Sequence, residues 1–485
     1  MILFLKRKPF LPKSEVLSDE QMNLFNEAEV ESIKFDSNDD VADLENPDPS
    51  DKTLKSKKKT GRRRLPDFLQ REEVIIDLPE SEKFCSIDGS PLKKTGEEVS
   101  EKIKIIPLQI KVIRTIRYKY GCAVCEEGQK IALVPPSMIP QSIATPETLA
   151  FIAVSKYEDA LPLYRIENIL DRNEIPISRA TMAHWMIKSA AACQPLINLM
   201  RDDLLSSNYL HMDETTVQVL DEKDRKATLK SYMWVQLSTS QKKKIVLFNY
   251  DPSRSGQSAK NLLEDFKGYL QVDGYGGYNF TEKKSSEIIR VSCLAHIRRK
   301  FKVLFDDKSL RSPFVIEVIN LIRKIYDEES KMGFDRSLEP DKVKSYKEKY
   351  VHPLLEKLKT LFESKIGKIP PKTPLGEALN YGINELPLLN ASYVKSSEIK
   401  LDNNLVENAI RPFAVGRKNW LFSQSVAGAD ASAALYSLIE SAKLNDIGTY
   451  DYLLYLFKKI PHCQNIEDYE KLLPYNIDPI LFKQA

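Results

Sequence analysis

Tyr209-Leu210-His211-Met212-Asp213-Glu214-Thr215-Thr216-Val217-Gln218-Val219-Leu220 is the stretch on which the fold turns. Its aromatic and β-branched residues read as a strand. Two further runs follow at short spacing, Ser231–Ser238 and Lys244–Tyr250. Linkers this short suit an antiparallel meander. Ser255–Phe266 then shows helical spacing, with Leu262, Leu263 and Phe266 apolar. Tyr269–Val272 is a short buried strand running into Asp273, and Ile288–Ser292 is another, ahead of a helix from Ala295 to Phe305. Three strands followed by strands alternating with helices predict a mixed α/β sheet. That order is the order of a ribonuclease-H-like core.

Working outward, Pro146 to Leu205 reads as helical, with Ser178 placed to cap one helix. Ile175-Pro176-Ile177 between two of these helices loosely matches a helix-turn-helix, although plain packing explains it more simply. Beyond the strands, Phe314, Val318, Leu321, Ile322 and Ile325, then Leu354, Leu355, Leu358 and Leu361, repeat at three and four. They predict an all-helical insertion. Asp430–Lys443 is a further helix, and Thr449 is placed to cap a last one ending before Pro461.

Three acids stand in distinctive settings. Asp213 lies inside a strand, Asp273 ends one in Gln271-Val272-Asp273-Gly274-Tyr275-Gly276-Gly277-Tyr278, and Glu407 sits in Asp402-Asn403-Asn404-Leu405-Val406-Glu407-Asn408-Ala409-Ile410-Arg411-Pro412. A polar side chain in an apolar strand is costly unless it has a task. Carboxylates held close repel one another, and a divalent cation removes that cost. Oxygen donors suit Mg²⁺ or Mn²⁺, with positions left for water and phosphate. Two such ions about 3.5–4 Å apart serve phosphoryl transfer. Asn404, Glu407 and Arg411 share one helix face, so metal and phosphate could meet there. Pro412 predicts that this helix ends at Arg411. Against this, a chain with 69 acidic residues offers many triples that are surface charges or caps, and Asp273-Gly274-Tyr275 also reads as turn chemistry.

The 485 residues suggest two to four folding units, and a hydrophobic content of 42% is enough for a core. No apolar run approaches the ~18 residues of a membrane helix, and the start does not suit a secretory signal. A cytosolic location with no membrane partner is the expectation. Net charge is only +3, but it is segregated. Glu15–Asp51 holds thirteen acids against Lys34 alone, whereas Lys52–Arg64 holds eight bases and no acid. The first reads as a flexible arm and the second as a polyanion-binding segment. Glu98–Tyr120 alternates in part and reads as short strands between Cys85 and Cys122-Ala123-Val124-Cys125. Six cysteines in such a chain would stay reduced, and three of them cluster as for a metal.

The sequence resembles the transposases of the insertion-sequence 66 family. The matching stretches are His211–Thr216, Val272–Tyr278, Cys293–Phe301, Asp402–Pro412, Gly416–Ser423 and Ala431–Asn445, with Cys85–Leu92, Glu98–Tyr120 and Cys122–Cys125 upstream. The resemblance implies a DDE enzyme that binds the ends of its element, cuts there and transfers the 3′ ends into target DNA. Asp213, Asp273 and Glu407 become its catalytic metal ligands. The alternatives are a catalytically inactive or truncated DNA-binding remnant, and a structure-specific nuclease on the same fold. The family usually pairs Cys122-x-x-Cys125 with a second Cys-x-x-Cys. Here that half is Cys85-Ser86-Ile87-Asp88, so a zinc site would use Cys85, Asp88, Cys122 and Cys125. Its competitor is a metal-free β module, because structural zinc favours sulfur and nitrogen.

Expected DNA contacts are Lys57, Lys58, Lys59, Arg62, Arg63, Arg64, Arg114, Arg117, Arg298, Arg299, Arg411 and Arg417. Such contacts position the protein without reading sequence. Cys293 and His296 also have metal-ligand spacing, but no second pair accompanies them, so packing plus an Arg298–Lys300 contact to DNA is the preferred reading. Self-assembly on DNA and accessory proteins of the same element are implied partners. Family members open with a zipper-like segment. Residues 13–29 look like its far end, which predicts weakened self-association.

The expected organisation is an acidic arm (1–51), a basic linker (52–80), a zinc-finger-like module (81–140) and a helical segment (141–205). A core follows in two parts (206–306 and 400–445) around a helical insertion (307–399), and a helical tail (446–485) ends the chain.

Overall fold

The computed structural model describes residues 110–116, 118–120, 130–131, 133–239, 243–282, 286–332 and 339–482. Contacts divide the chain into two units, Met1–Ile116 and Arg117–Ala485. In the first, residues 110–116 are exposed and carry no regular secondary structure. Among the described residues, every helix and strand belongs to the second.

Strands β1 (Lys119–Tyr120) and β2 (Lys130–Ile131) form a small antiparallel ladder. Four helices come next: α1 (Pro146–Tyr157), α2 (Leu163–Asp171), α3 (Arg179–Ala192) and α4 (Gln194–Leu205). Ser178 caps α3 as expected, its side chain accepting from the Thr181 amide.

The central sheet opens with the antiparallel meander β3 (Tyr209–Asp221), β4 (Lys230–Ser238) and β5 (Ile245–Asp251). Helix α5 (Gly256–Leu262) leads to β6 (Gly268–Gln271), and a 3-10 turn (Gly276–Glu282) leads to β7 (Ile288–Val291). Both late strands run parallel to β3, giving the order β5-β4-β3-β6-β7. Helix α6 (Leu294–Asp306) follows β7 directly. The insertion comprises α7 (Pro313–Lys331), α8 (Pro340–Tyr346), a π turn (Lys347–Val351), α9 (His352–Glu363) and α10 (Pro374–Tyr393). The chain returns through α11 (Asn404–Trp420), the short strand β8 (Ser423–Ser425) and α12 (Val426–Leu444). Helices α13 (Thr449–Lys459) and α14 (Ile466–Glu470) close it.

Helices cover both faces of the sheet. On one face the carbonyl of Leu262, at the end of α5, accepts from Gln236 Nε2 of β4. On the other, Phe248 of β5 packs against Phe413 of α11 and Tyr436 of α12, with centroids 6.2 and 5.4 Å apart. Asp213 pairs in register with Val235, and Val235 with Phe248. Side chains alternate along a strand, so Asp213 shares the α11 face.

Two expectations are corrected. Helix α11 does not end at Arg411; it runs through Pro412 to Trp420. Proline there removes one helical hydrogen bond and costs about 3 kcal/mol in a helix interior. Packing outweighs that local penalty. Val406 and Phe413 are wholly buried, and Phe413 meets Trp420 at 5.4 Å and Tyr436 at 5.2 Å. The last long helix is capped by Gly448, and Thr449 is its first residue, buried at 6% exposure.

Candidate active site

The parallel register of β3 and β6 builds the site. Tyr209 pairs with Tyr269, Leu210 with Leu270 and His211 with Gln271. The paired register stops at His211 and Gln271, two residues short of Asp213 on one segment and of Asp273 on the other. Beyond Gln271 the β6 segment turns away. Asp273 Oδ1 accepts from the Tyr275 amide at 3.0 Å, and the Gly274 amide donates to Tyr381 Oη at 3.1 Å. A Cβ on Gly274 would fall 2.5 Å from the Tyr381 ring, so this close approach requires glycine.

The edge of β3 facing β6 is paired at both ends and open in the middle. β6 takes residues 209–211, and β8 takes Val219 and Asp221. Buried carbonyls cannot be left unpaired, and α11 supplies the missing donors. Asn403 Nδ2 donates to the Met212 carbonyl at 3.0 Å. Arg417 donates to the Thr216 carbonyl, and to Thr215 Oγ1 at 3.0 Å and Thr216 Oγ1 at 2.9 Å. The helix is thereby laid along the gap, with Glu407 in its first turn.

Asn403 is wholly buried and works as a hub. Its amide donates to Cys293 Sγ at 3.1 Å, and its Oδ1 lies 2.8 Å from His211 Nδ1. Because its Nδ2 is committed to Met212, its Oδ1 must accept, so His211 carries its proton on Nδ1. Burial lowers the imidazole to about 4, leaving it neutral near pH 7. Asn403 occupies the N-cap position of α11 but makes no side-chain capping bond. Its side chain is spent on β3 and His211 instead.

Burial raises the Asp213 carboxyl well above the usual range, and the charges of Glu214, Asp273 and Glu407 raise it further. Asp213 therefore feels both Asp273 and Glu407. Glu214, which its sequence setting does not single out, accepts from Arg254 Nε at 2.6 Å and Tyr278 Oη at 2.9 Å. Arg254 also stacks on the Tyr275 ring at 4.0 Å. These contacts pin the loop after Asp273 to the strand carrying Asp213.

The other expected residues are scattered more widely. Arg299 lies 3.5 Å from Glu407 Oε2. Arg298 is exposed, Arg411 is half-buried in α11, and Arg114 is exposed in the first unit. Cys293, His296 and Glu407 bring one ligand atom each to within 4.8 Å of one another. Burial pushes the Cys293 thiol up to about 12, and Glu407 adds to this. Cys85, Asp88, Cys122, Cys125, Arg117 and the basic residues Lys57–Lys59 and Arg62–Arg64 lie outside the described residues. Among the described residues, no helix is long and apolar enough to cross a membrane.

The fold and site are those of a mixed α/β protein with clustered carboxylates. Comparison with known families makes the class specific. Residues 141–431, over half of the chain, match the model of the Transposase IS66 family. Residues 82–126 match the zinc-finger binding domain of transposase IS66, and 437–475 match the IS66 C-terminal element. Residues 1–74 match the model described as Transposase C of IS166 homeodomain. The chain belongs to the IS66 family of transposases. Among its relatives is Uncharacterized protein y4jD of Sinorhizobium fredii, 31% identical over 98% of this chain and 93% of that protein. Uncharacterized protein y4qI of the same organism is 30% identical over 85% of this chain and 76% of its own length. Membership implies DNA binding, divalent metal ions in the core and zinc in the N-terminal module.

Proposed function

We propose that this chain is a DDE transposase on a ribonuclease-H-like core, with Asp213, Asp273 and Glu407 holding Mg²⁺ or Mn²⁺. Its reaction is cleavage at the ends of the insertion sequence and transfer of those ends into target DNA. What supports the reading is that β3 and β6, paired in parallel up to His211 and Gln271, each lead within two residues to an aspartate, while Asn403 ties the start of the helix bearing Glu407 to β3. The strand order β5-β4-β3-β6-β7, three antiparallel strands and two parallel to the first, supports the core assignment.

The donor set fits hard divalent cations. Burial, and then the charges of Glu214, Asp273 and Glu407, raise the Asp213 carboxyl, and Glu407 Oε1 is buried without a hydrogen-bond partner. A bound pair of such cations supplies activation of the attacking oxygen and stabilisation of the leaving one. The residues of the chain do the rest. Asn403 fixes the first turn of α11 against β3, and Arg299 holds the free oxygen side of Glu407. Arg254, Glu214 and Tyr278 fix the Asp273 loop. Arg298, Arg299, Arg411 and Arg417 belong to the elements lining the site and would meet phosphates. Arg114, Arg117 and the Lys57–Arg64 bases would add contacts to the element end. Cys85, Asp88, Cys122 and Cys125 would hold zinc in the N-terminal module.

The test is strand transfer with a labelled element end, Mg²⁺ and a plasmid target. Joined products from wild type and none from Asp273→Ala are expected. Binding without any product would mark a DNA-binding remnant, and hydrolysis without joining would mark a nuclease.

A further inference from the structure

Cys293 and His296 stand at the N-cap and in the first turn of α6, three residues apart and therefore on one face. Glu407 approaches them from the first turn of α11. His296 Nδ1 and Glu407 Oε1 are both sealed from solvent, and neither has a hydrogen-bond partner. They face each other at 3.8 Å, too far for a hydrogen bond. Two buried polar atoms left in this way are costly. A tetrahedral zinc ion with bonds of about 2.1 Å to nitrogen and oxygen would set them roughly 3.4 Å apart, a closure of a few tenths of an ångström.

The chemistry of the donors is specific. One sulfur, one imidazole nitrogen and one carboxylate oxygen favour zinc over magnesium, whose preferred ligands are all oxygen. Arg299 lies at the other carboxylate oxygen, Oε2, so Oε1 is the one turned to the cluster. The Asn403 amide already donates to Cys293 Sγ at 3.1 Å, a contact that would strengthen on a thiolate. Sequence spacing showed only the Cys293–His296 pair; the third donor comes from a helix more than a hundred residues later.

We propose that Cys293, His296 and Glu407 form a three-ligand site for a thiophilic divalent cation, zinc foremost, separate from the N-terminal cysteine module. As the sulfur–metal bond forms, the thiol proton passes to solvent. Because Glu407 is shared, occupancy withdraws it from Asp213 and Asp273, so zinc antagonises magnesium. This last consequence rests on the proposed transposase activity; the binding itself does not.

The experiment is zinc stoichiometry by equilibrium dialysis and elemental analysis on the full chain, compared with Cys293→Ser and His296→Ala. Wild type should hold one zinc per chain more than either variant. Serine preserves an acceptor for the Asn403 amide, and the His296 side chain is 20% exposed, so at least one variant should fold; circular dichroism checks this. Equal stoichiometry in all three proteins overturns the site. Cleavage in Mg²⁺ is then followed with and without added zinc. Zinc-reversible inhibition supports the shared ligand, and full activity with the site loaded overturns it. Loss of one zinc in the variants with no wild-type cleavage in zinc-free Mg²⁺ buffer would leave the cation site standing and remove the catalytic reading instead.

Discussion

Two groups of acid lie within one loop of each other, and they are built in opposite ways. Glu385, on α10, accepts from Arg290 Nη2 at 2.9 and 2.7 Å and from Ser292 Oγ at 2.5 Å. Its charge is matched and its oxygens are occupied. Asp213 is placed differently: burial raises its carboxyl, and the charges of Glu214, Asp273 and Glu407 raise it further. Arg290 even touches both groups, donating to the Asp273 carbonyl at 3.2 Å but leaving its carboxylate alone. A matched buried carboxylate holds a fold together. An unmatched cluster is a cost that the fold bears for something not yet bound.

That contrast can be broken most decisively by Asp273→Ala. Strand cleavage should fall by about 10³-fold or more, with little loss of thermal stability. A variant with near-normal turnover would place the chemistry elsewhere. Glu385→Ala should do the reverse. It removes one of the two carboxylate partners of Arg290, leaving Glu282 at 3.2 Å, and should cost about 1–3 kcal/mol, read as a lowered denaturation midpoint. Asn403→Ala sits between the two. Losing the clamp should lower turnover by about 10²-fold through misplacement of Glu407. It should also cost about 1–3 kcal/mol, because His211 and the Met212 carbonyl lose their buried partner. Unchanged activity in a folded Asn403→Ala protein would show that α11 is positioned by packing alone.

The smallest effect sharpens the comparison through its sign. Asp213 has a folded pKa above its unfolded value, so the folded state holds the proton more tightly. Stability from this group is present at low pH and is lost as pH rises through the unfolded and then the folded pKa. In chelator, Asp213→Asn should therefore raise the melting temperature at neutral pH, and the gain should shrink on acidification. Added Mg²⁺ should stabilise wild type and leave the variant little changed. A drop in melting temperature on Asp213→Asn in chelator would contradict the unmatched-charge account.

Much of the fold was legible in the residues. The meander, the two late strands and the helix after β7 follow from apolar periodicity and short linkers, which are local properties. The helical insertion was legible for the same reason. Three features were not. Pro412 argued for a helix end, and only the burial of Phe413 among Phe248, Trp420 and Tyr436 explains its continuation. Nothing local to Asn403 announced that its side chain would bind a strand almost two hundred residues earlier. Glu214 looked like a neighbour of the acid that mattered, although its side chain is 1% exposed and anchors Arg254 and Tyr278.

The sequence by itself indicated the main strands and helices of residues 146–459, that three acids stand in special settings, and that the chain has the marks of its transposase family. It could do so because propensity, periodicity and motif spacing are written within a few residues of each other. Only the tertiary structure decided that β6 lies parallel to β3, with His211 paired to Gln271. It also decided that α11 fills the open edge of β3 and brings Glu407 beside Cys293 and His296. Those are choices among distant partners, settled by the demand that every buried carbonyl and side chain find a contact, and no short stretch of residues contains that information.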